Sequence, residues 1–314
     1  MKKLLCIVLL LHLLLLTACG APAAKQTEDL LSTEETVVFT DDLGREVRVS
    51  RPERVAVLLG SFADIWCLAG GKDRIVAAAS DTWTQFDLGL RDGVADLGGV
   101  KEINLERLAA AQPDLVIASC NTAAQVEWLD TLERFGLPTA YFKVANFSEY
   151  LRMLEICTQI TGCPERYEEF GSAIQGQIDK AKEKADGSAP TVLYVRATAS
   201  GCRVKNSQDS VLGEMLADLG CVNIADRDAG LLEELSMEEI LRQDPDFIFA
   251  VIQGSDPTKG EVVLEQTLLQ DPAWNTLSAV KEGRFHVLDG SLYNLKPNAR
   301  WGEAYEKLAQ ILYP

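Results

Sequence analysis

The sequence predicts an α/β fold built as two similar lobes flanking a long helical stretch. Three observations predict it. Short apolar, β-branched runs alternate with helix-like stretches from Arg54 to Lys143 and again after Pro190, which argues for sheets of largely parallel strands. Strand signals vanish between Ser148 and about Lys184. The segments on either side of that gap also repeat each other. Asn104-Leu105-Glu106 through Pro113-Asp114 to Ala118 aligns without a gap, at an offset of 132 residues, with Ser236-Met237-Glu238 through Pro245-Asp246 to Ala250. Each copy has a cap residue, a glutamate two positions later, a short helix, Pro-Asp and a buried strand.

In chain order, Val37–Thr40 and Glu46–Val49 read as strands around the turn Asp41-Asp42-Leu43-Gly44. Arg54–Leu59, Arg74–Ala78, Asp114–Ser119 and Thr139–Lys143 read as strands, with helices at 62–69, 105–111 and 123–135 between them. Ser148 reads as an N-cap, followed by Leu151, Leu154, Ile156 and Ile160 at helical spacing. Gly162-Cys163-Pro164 interrupts the run, and Tyr167, Phe170, Ile174 and Ile178 resume it. Strands Val192–Arg196, Asp246–Val251 and Arg284–Leu288 follow, with helices at 210–219, 237–242 and 299–312. Ser236 with Glu239 forms a capping box.

Residues 1–19 set the compartment. Lys2 and Lys3 lead into an apolar run from Leu4 to Leu16, too short for a comfortable membrane span of ~20 residues. Leu16-Thr17-Ala18-Cys19 resembles the lipobox of bacterial lipoproteins, which implies cleavage before Cys19 and lipid attachment to its thiol. The stretch after Cys19, rich in Ala, Gln, Thr and Glu, reads as a flexible tether. The organisation expected is a signal peptide (1–18), lipidated Cys and tether (19–36), first lobe (37–147), linking helix (148–187) and second lobe (188–314).

The chain carries 30 basic and 47 acidic residues, net −17. That balance opposes nucleic acid and anionic lipid surfaces, so contact with the membrane is expected through the anchor alone. Of eight cysteines, Cys67, Cys120, Cys157, Cys163, Cys202 and Cys221 remain after the lipobox. None forms C-x-x-C; Cys157–Cys163 and Cys202–Cys221 are the disulfide candidates, with free, buried thiols as the alternative.

The lipobox, Thr40-Asp41-Asp42-Leu43-Gly44-Arg45, Pro52-Glu53-Arg54-Val55-Ala56-Val57, Pro113-Asp114-Leu115-Val116-Ile117-Ala118, the long middle helix and Val280-Lys281-Glu282-Gly283-Arg284 together resemble one family. It is the helical-backbone (class III) substrate-binding proteins of ABC importers for ferric siderophores, haem and vitamin B12. The resemblance covers nearly all of residues 37–314. It implies two Rossmann-like lobes joined by a rigid helix, a ligand held between them, a monomer on the outer face of the cell membrane, and an importer permease and ATPase as partners. It also implies permease docking through one acidic residue per lobe, Glu106 and Glu238.

Loops beyond the strand ends are expected to line the cleft. Trp83 and Phe86, in the polar stretch Ser80–Phe86, suit stacking on a flat ligand, or a satellite core. Lys143, Arg196 and Arg203 are basic groups at strand ends, suited to carboxylate or catecholate oxygens. Tyr293 is a candidate ligand contact or a packing residue. His286 is the one histidine after the signal segment and sits inside a strand, so bare-metal capture is not expected and the ligand should arrive as a pre-chelated metal complex, with no cofactor. No G-x-G-x-x-G, phosphate loop or G-x-S-x-G elbow is present, so no enzyme is expected. Iron-siderophore capture ranks ahead of corrinoid and haem, and a lipid-anchored non-transport sensor is the competing class.

Overall fold

The computed structural model describes residues 36–314, except Asp209, Ser255 and the side chain of Ala229. The expected signal peptide and Cys19 lie outside the described residues. Among the described residues no helix is long and apolar enough to cross a membrane.

Two separate five-stranded sheets form the frame. The hairpin β1 (Thr36–Thr40) and β2 (Glu46–Ser50) comes first and pairs antiparallel. The first large sheet contains β3 (Val55–Val57), β4 (Ile75–Ala78), β5 (Ala95–Asp96), β6 (Leu115–Ser119) and β7 (Thr139–Phe142), ordered β5-β4-β3-β6-β7 and all parallel. Strands β3, β4, β6 and β7 are buried along their whole length, which is why the sequence shows continuous apolar runs instead of alternation. The hairpin turn seals the edge at β7. Asp42 N–H donates to the Tyr141 carbonyl (2.9 Å), and Lys143 N–H donates to the Asp42 carboxylate (2.6 Å).

The second sheet contains β8 (Thr191–Thr198), β9 (Gly201–Lys205), β10 (Val222–Asn223), β11 (Phe247–Ile252) and β12 (Phe285–Leu288). Its parallel order is β10-β8-β11-β12, and β9 folds back antiparallel on the second half of β8. The segment from Arg196 to Arg203, which runs on from the strand expected at Val192–Arg196, is therefore a β-hairpin. Its period-two signal, Cys202 and Val204 buried with Arg203 exposed between them, is legible only once the Ser200-Gly201 turn is recognised.

The linker expected over 148–187 is two helical runs, broken at the expected interruption Gly162-Cys163-Pro164. Helix Phe147–Thr161 is capped by Asn146, whose side chain accepts from Glu149 N–H, and Ser148 lies one residue inside. Gly162 closes the helix in the left-handed region (φ 76°), with both Gly162 and Cys163 N–H groups on the Thr158 carbonyl. A second run, 165–182, passes through a π-helical stretch Glu168–Ser172 and packs back on the first. There the Tyr150 hydroxyl donates to the Phe170 carbonyl (2.8 Å). The helix expected over 123–135 also splits, at Trp128, into Ala123–Glu127 and Leu129–Arg134.

One buried cluster runs through both halves. It joins Val57 and Ile117 of the first sheet, Met153 and Ile178 of the linker, Tyr194 and Phe249 of the second sheet, and Leu308 of the terminal helix Trp301–Leu312. Separate clusters cover the far face of each sheet. Cys67, Cys120, Cys157, Cys163, Cys202 and Cys221 are all free thiols, so neither candidate disulfide forms.

Candidate functional site: the cleft between the sheets

Parallel strands end where their loops must turn, and the carboxyl ends of β3, β4 and β7 place three loops together. After β4, Asp81 accepts from Gly60 N–H through Oδ2 (2.9 Å), while its Oδ1 is buried with no partner. Burial is the largest influence on this carboxyl and raises its pKa, against the backbone bond from Gly60. Gly60 is needed for close approach: a Cβ there would lie 2.8 Å from Thr82 N and 2.9 Å from Phe86 Cδ2. Phe86 is thus half-buried against the start of helix Gly60–Leu68. Trp83 stands 44% exposed on the turn Asp81–Thr84. After β7, the Lys143 ammonium pairs with Glu149 (3.3 Å), and Glu149 also accepts from Ala145 N–H (2.6 Å).

The second half supplies the cations. Arg196 and Arg203 are directly opposed on β8 and β9, so both side chains leave the same face of the sheet. Arg196 donates to the Tyr194 hydroxyl (3.3 and 3.2 Å), and Arg203 donates to the Glu233 carbonyl (3.1 Å). Neither has a carboxylate partner among the described residues. Lys296 comes from the segment before the terminal helix, with its ammonium 6.0 Å from the centre of the Phe62 ring. Burial lowers the Lys296 pKa and the charge of Arg196 lowers it further, while Asp81 and Glu149 oppose the shift. This one ammonium therefore feels groups from both sheets.

Below it, Asn298 ties the halves together. Its side-chain amide donates to the Ser61 carbonyl (2.9 Å) and to Asp64 Oδ2 (2.8 Å), from a backbone held at φ 50°. Burial raises the Asp64 pKa and the Asn298 bond opposes that rise.

The expected cleft residues divide accordingly. Arg196 and Arg203 come together; Trp83 and Phe86 sit at the first-sheet rim; Lys143 is engaged with Glu149. Tyr293 is a correction: it is buried, and its hydroxyl donates to the Ala304 carbonyl (3.0 Å), a packing role. Glu106 and Glu238 are exposed second residues of helices capped by Asn104 and Ser236. Only half the capping box forms: Ser236 accepts from Glu239 N–H (3.3 Å), while the Glu239 carboxylate turns to Arg242 and Gln243. Residue-level reading missed Asp81, Glu149, Lys296 and the Asp64–Asn298 bond. The available signal was Lys296 ahead of Pro297, a charge in a segment that otherwise packs. Among the described residues no group of three or more His, Cys, Asp or Glu could hold a metal ion.

Comparison with known proteins agrees with this architecture. The chain is 24% identical to the putative ABC transporter substrate-binding lipoprotein YhfQ of Bacillus subtilis, over 94% of this chain and 93% of that one. It is 22% identical to the ferric-anguibactin-binding protein FatB of Vibrio anguillarum (90% and 88% covered). Identity to the vitamin B12-binding protein of Vibrio campbellii is 24%, over 63% and 70%. Among solved structures, the petrobactin-binding protein YclQ from Bacillus subtilis superposes with a TM-score of 0.71 at 20% identity, covering 89% of this chain and 98% of that one. A family model described as periplasmic binding protein matches residues 55–292, and the chain, built on two separate and largely parallel sheets, belongs to that family.

Proposed function

We propose that this chain is a lipid-anchored, extracytoplasmic binding protein that captures an anionic, pre-formed iron chelate of siderophore type and delivers it to an ABC importer. One observation carries the reading: in a protein whose net charge is −17, Arg196 and Arg203 are directly opposed on one face of the second sheet, Lys296 feels the charge of Arg196, and neither arginine has a carboxylate partner among the described residues. Like charges directly opposed across two strands are destabilising, so the pair is explained best by an anion that joins it in the complex. Trp83, exposed, and Phe86, half-buried, supply the aromatic rings of the loop after β4. Similarity to FatB extends over nearly the full chain and supports an iron chelate.

A corrinoid, using the same rings, is the second reading, supported by the shorter match to the vitamin B12-binding protein. In this account Cys19 carries the lipid, and Glu106 and Glu238 meet the permease.

The test is tryptophan quenching of the chain without residues 1–19, titrated with ferric siderophores of carboxylate and catecholate type, cobalamin and haemin. Tightest binding of a ferric siderophore is expected. Failure of every ligand to bind better than about 1 mM, ~−4 kcal/mol, would contradict the transport reading. Tightest binding of cobalamin would replace the siderophore with a corrinoid.

A further inference from the structure

The edges of the two large sheets are not treated alike. Strands β5 and β10 are two residues long, too short to template another strand. The β7 edge is sealed by Asp41 and Asp42, and β9 carries Arg203 and Lys205. Strand β12, Phe285-His286-Val287-Leu288, has none of these defences. Ile248 N–H bonds the Arg284 carbonyl, so Arg284, His286 and Leu288 turn their peptide groups to β11. Phe285 and Val287 then present N–H and C=O groups to the open edge, where no described residue pairs with them. The Val287 side chain is 55% exposed.

Beside this edge lies a concavity of about 470 Å³ lined by Glu261, Leu264, Glu265, Leu269, Gln270 and Val287. Its wall includes a π-helical turn, Glu265–Leu269, an irregularity found often at functional positions. Glu261 and Glu265 are exposed at its rim, with no cationic partner among the described residues.

The geometry points to β12 as a docking edge for an extended segment of another protein in which every second residue, the set that faces the Val287 side of the sheet, runs basic, apolar, basic. The segment would add to β12 as a sixth strand; side chains two apart share a face, so an apolar side chain would sit over Leu264 and Leu269 with a cation on either side of it against Glu261 and Glu265. Charge argues against other occupants. A second copy of this chain would bring its own Glu261 and Glu265 to the same edge. Residues 20–35 carry Lys25 alone against Glu28, Asp29, Glu34 and Glu35.

The test measures amide hydrogen exchange in the full-length protein in detergent micelles, using the peptide Lys-Thr-Val-Thr-Lys, whose two lysines and valine share a face, and the control Glu-Thr-Val-Thr-Glu. The basic peptide is expected to slow exchange at Phe285 and Val287 at least fivefold, and the acidic one to have no effect. The slowing should be lost in Glu261→Lys/Glu265→Lys and in Val287→Lys, with β11 exchange unchanged as the check on folding. Absence of slowing, equal slowing by both peptides, or slowing retained in both variants would overturn the proposal. So would slowing without peptide that grows with protein concentration, or that depends on residues 20–35.

Discussion

At the scale of single residues, Arg196 and Arg203 carry the proposed capture of an anion. Truncating either removes a charge-assisted hydrogen bond donor worth ~1.5–3 kcal/mol. Arg196→Ala and Arg203→Ala should each weaken an anionic ferric chelate by roughly 10- to 100-fold. Thermal stability should hold or rise, because the cross-strand repulsion is relieved. A fall in melting temperature with unchanged affinity would mark both arginines as structural. Asp81 adds a pH dependence. Its pKa is raised, so it takes up its proton at a higher pH than an ordinary carboxyl of ~4. As pH falls through that raised value the cleft loses a negative charge, and affinity for an anion of constant charge should increase. Asp81→Asn should flatten that increase, as a titration series with such a probe would report. In linkage terms the folded state binds the proton more readily than the unfolded chain. Stability therefore declines as pH rises from ~4 through the folded pKa.

At the scale of elements, short buried strands were legible because burial on both faces leaves only apolar, β-branched residues between Gly and Pro punctuation. Residues 55–57, 75–78, 115–119 and 139–142 are strands as expected. The failures have physical causes. Strand β9 is stabilised by its pairing with β8, which local pattern does not reveal. The split at Trp128 follows tertiary packing, since this side chain packs against the cluster behind the first sheet. Lys143, Arg196 and Arg203 were legible as basic residues near strand ends, whereas Lys296 and Asn298 were not, because their partners lie 100 or more residues away in sequence. Gly60 shows how tightly the first loop is built. Gly60→Ala would force a Cβ against Thr82 and Phe86, and should cost ~1–3 kcal/mol, read as a lowered denaturation midpoint. Unchanged stability would mean that the Asp81 loop moves freely.

At the scale of the whole molecule, a buried cluster continuous through both sheets and the 165–182 run gives the cleft a stiff floor. The Asn298 bonds to Ser61 and Asp64 reinforce it. Such a frame favours a pre-organised site, with ligand sensed at the rim and little rearrangement of the base. The exposed Glu106 and Glu238 repeat each other on the two halves, each the second residue of a capped helix. Reversing both, Glu106→Lys and Glu238→Lys, should abolish ligand-stimulated ATPase activity of the importer in reconstituted membranes, while chelate affinity stays within about twofold of the parent. Lost affinity would move these glutamates into the binding site, and retained stimulation would remove them from the docking surface.

A crystal structure of the complex with the tightest ferric chelate found by titration is the most direct measurement of the central claim. The account predicts anionic ligand atoms within hydrogen-bond distance of Arg196, Arg203 and Lys296, and a ligand surface against Trp83 or Phe86. A ligand bound away from those three cations, or a neutral group seated among them, would contradict it.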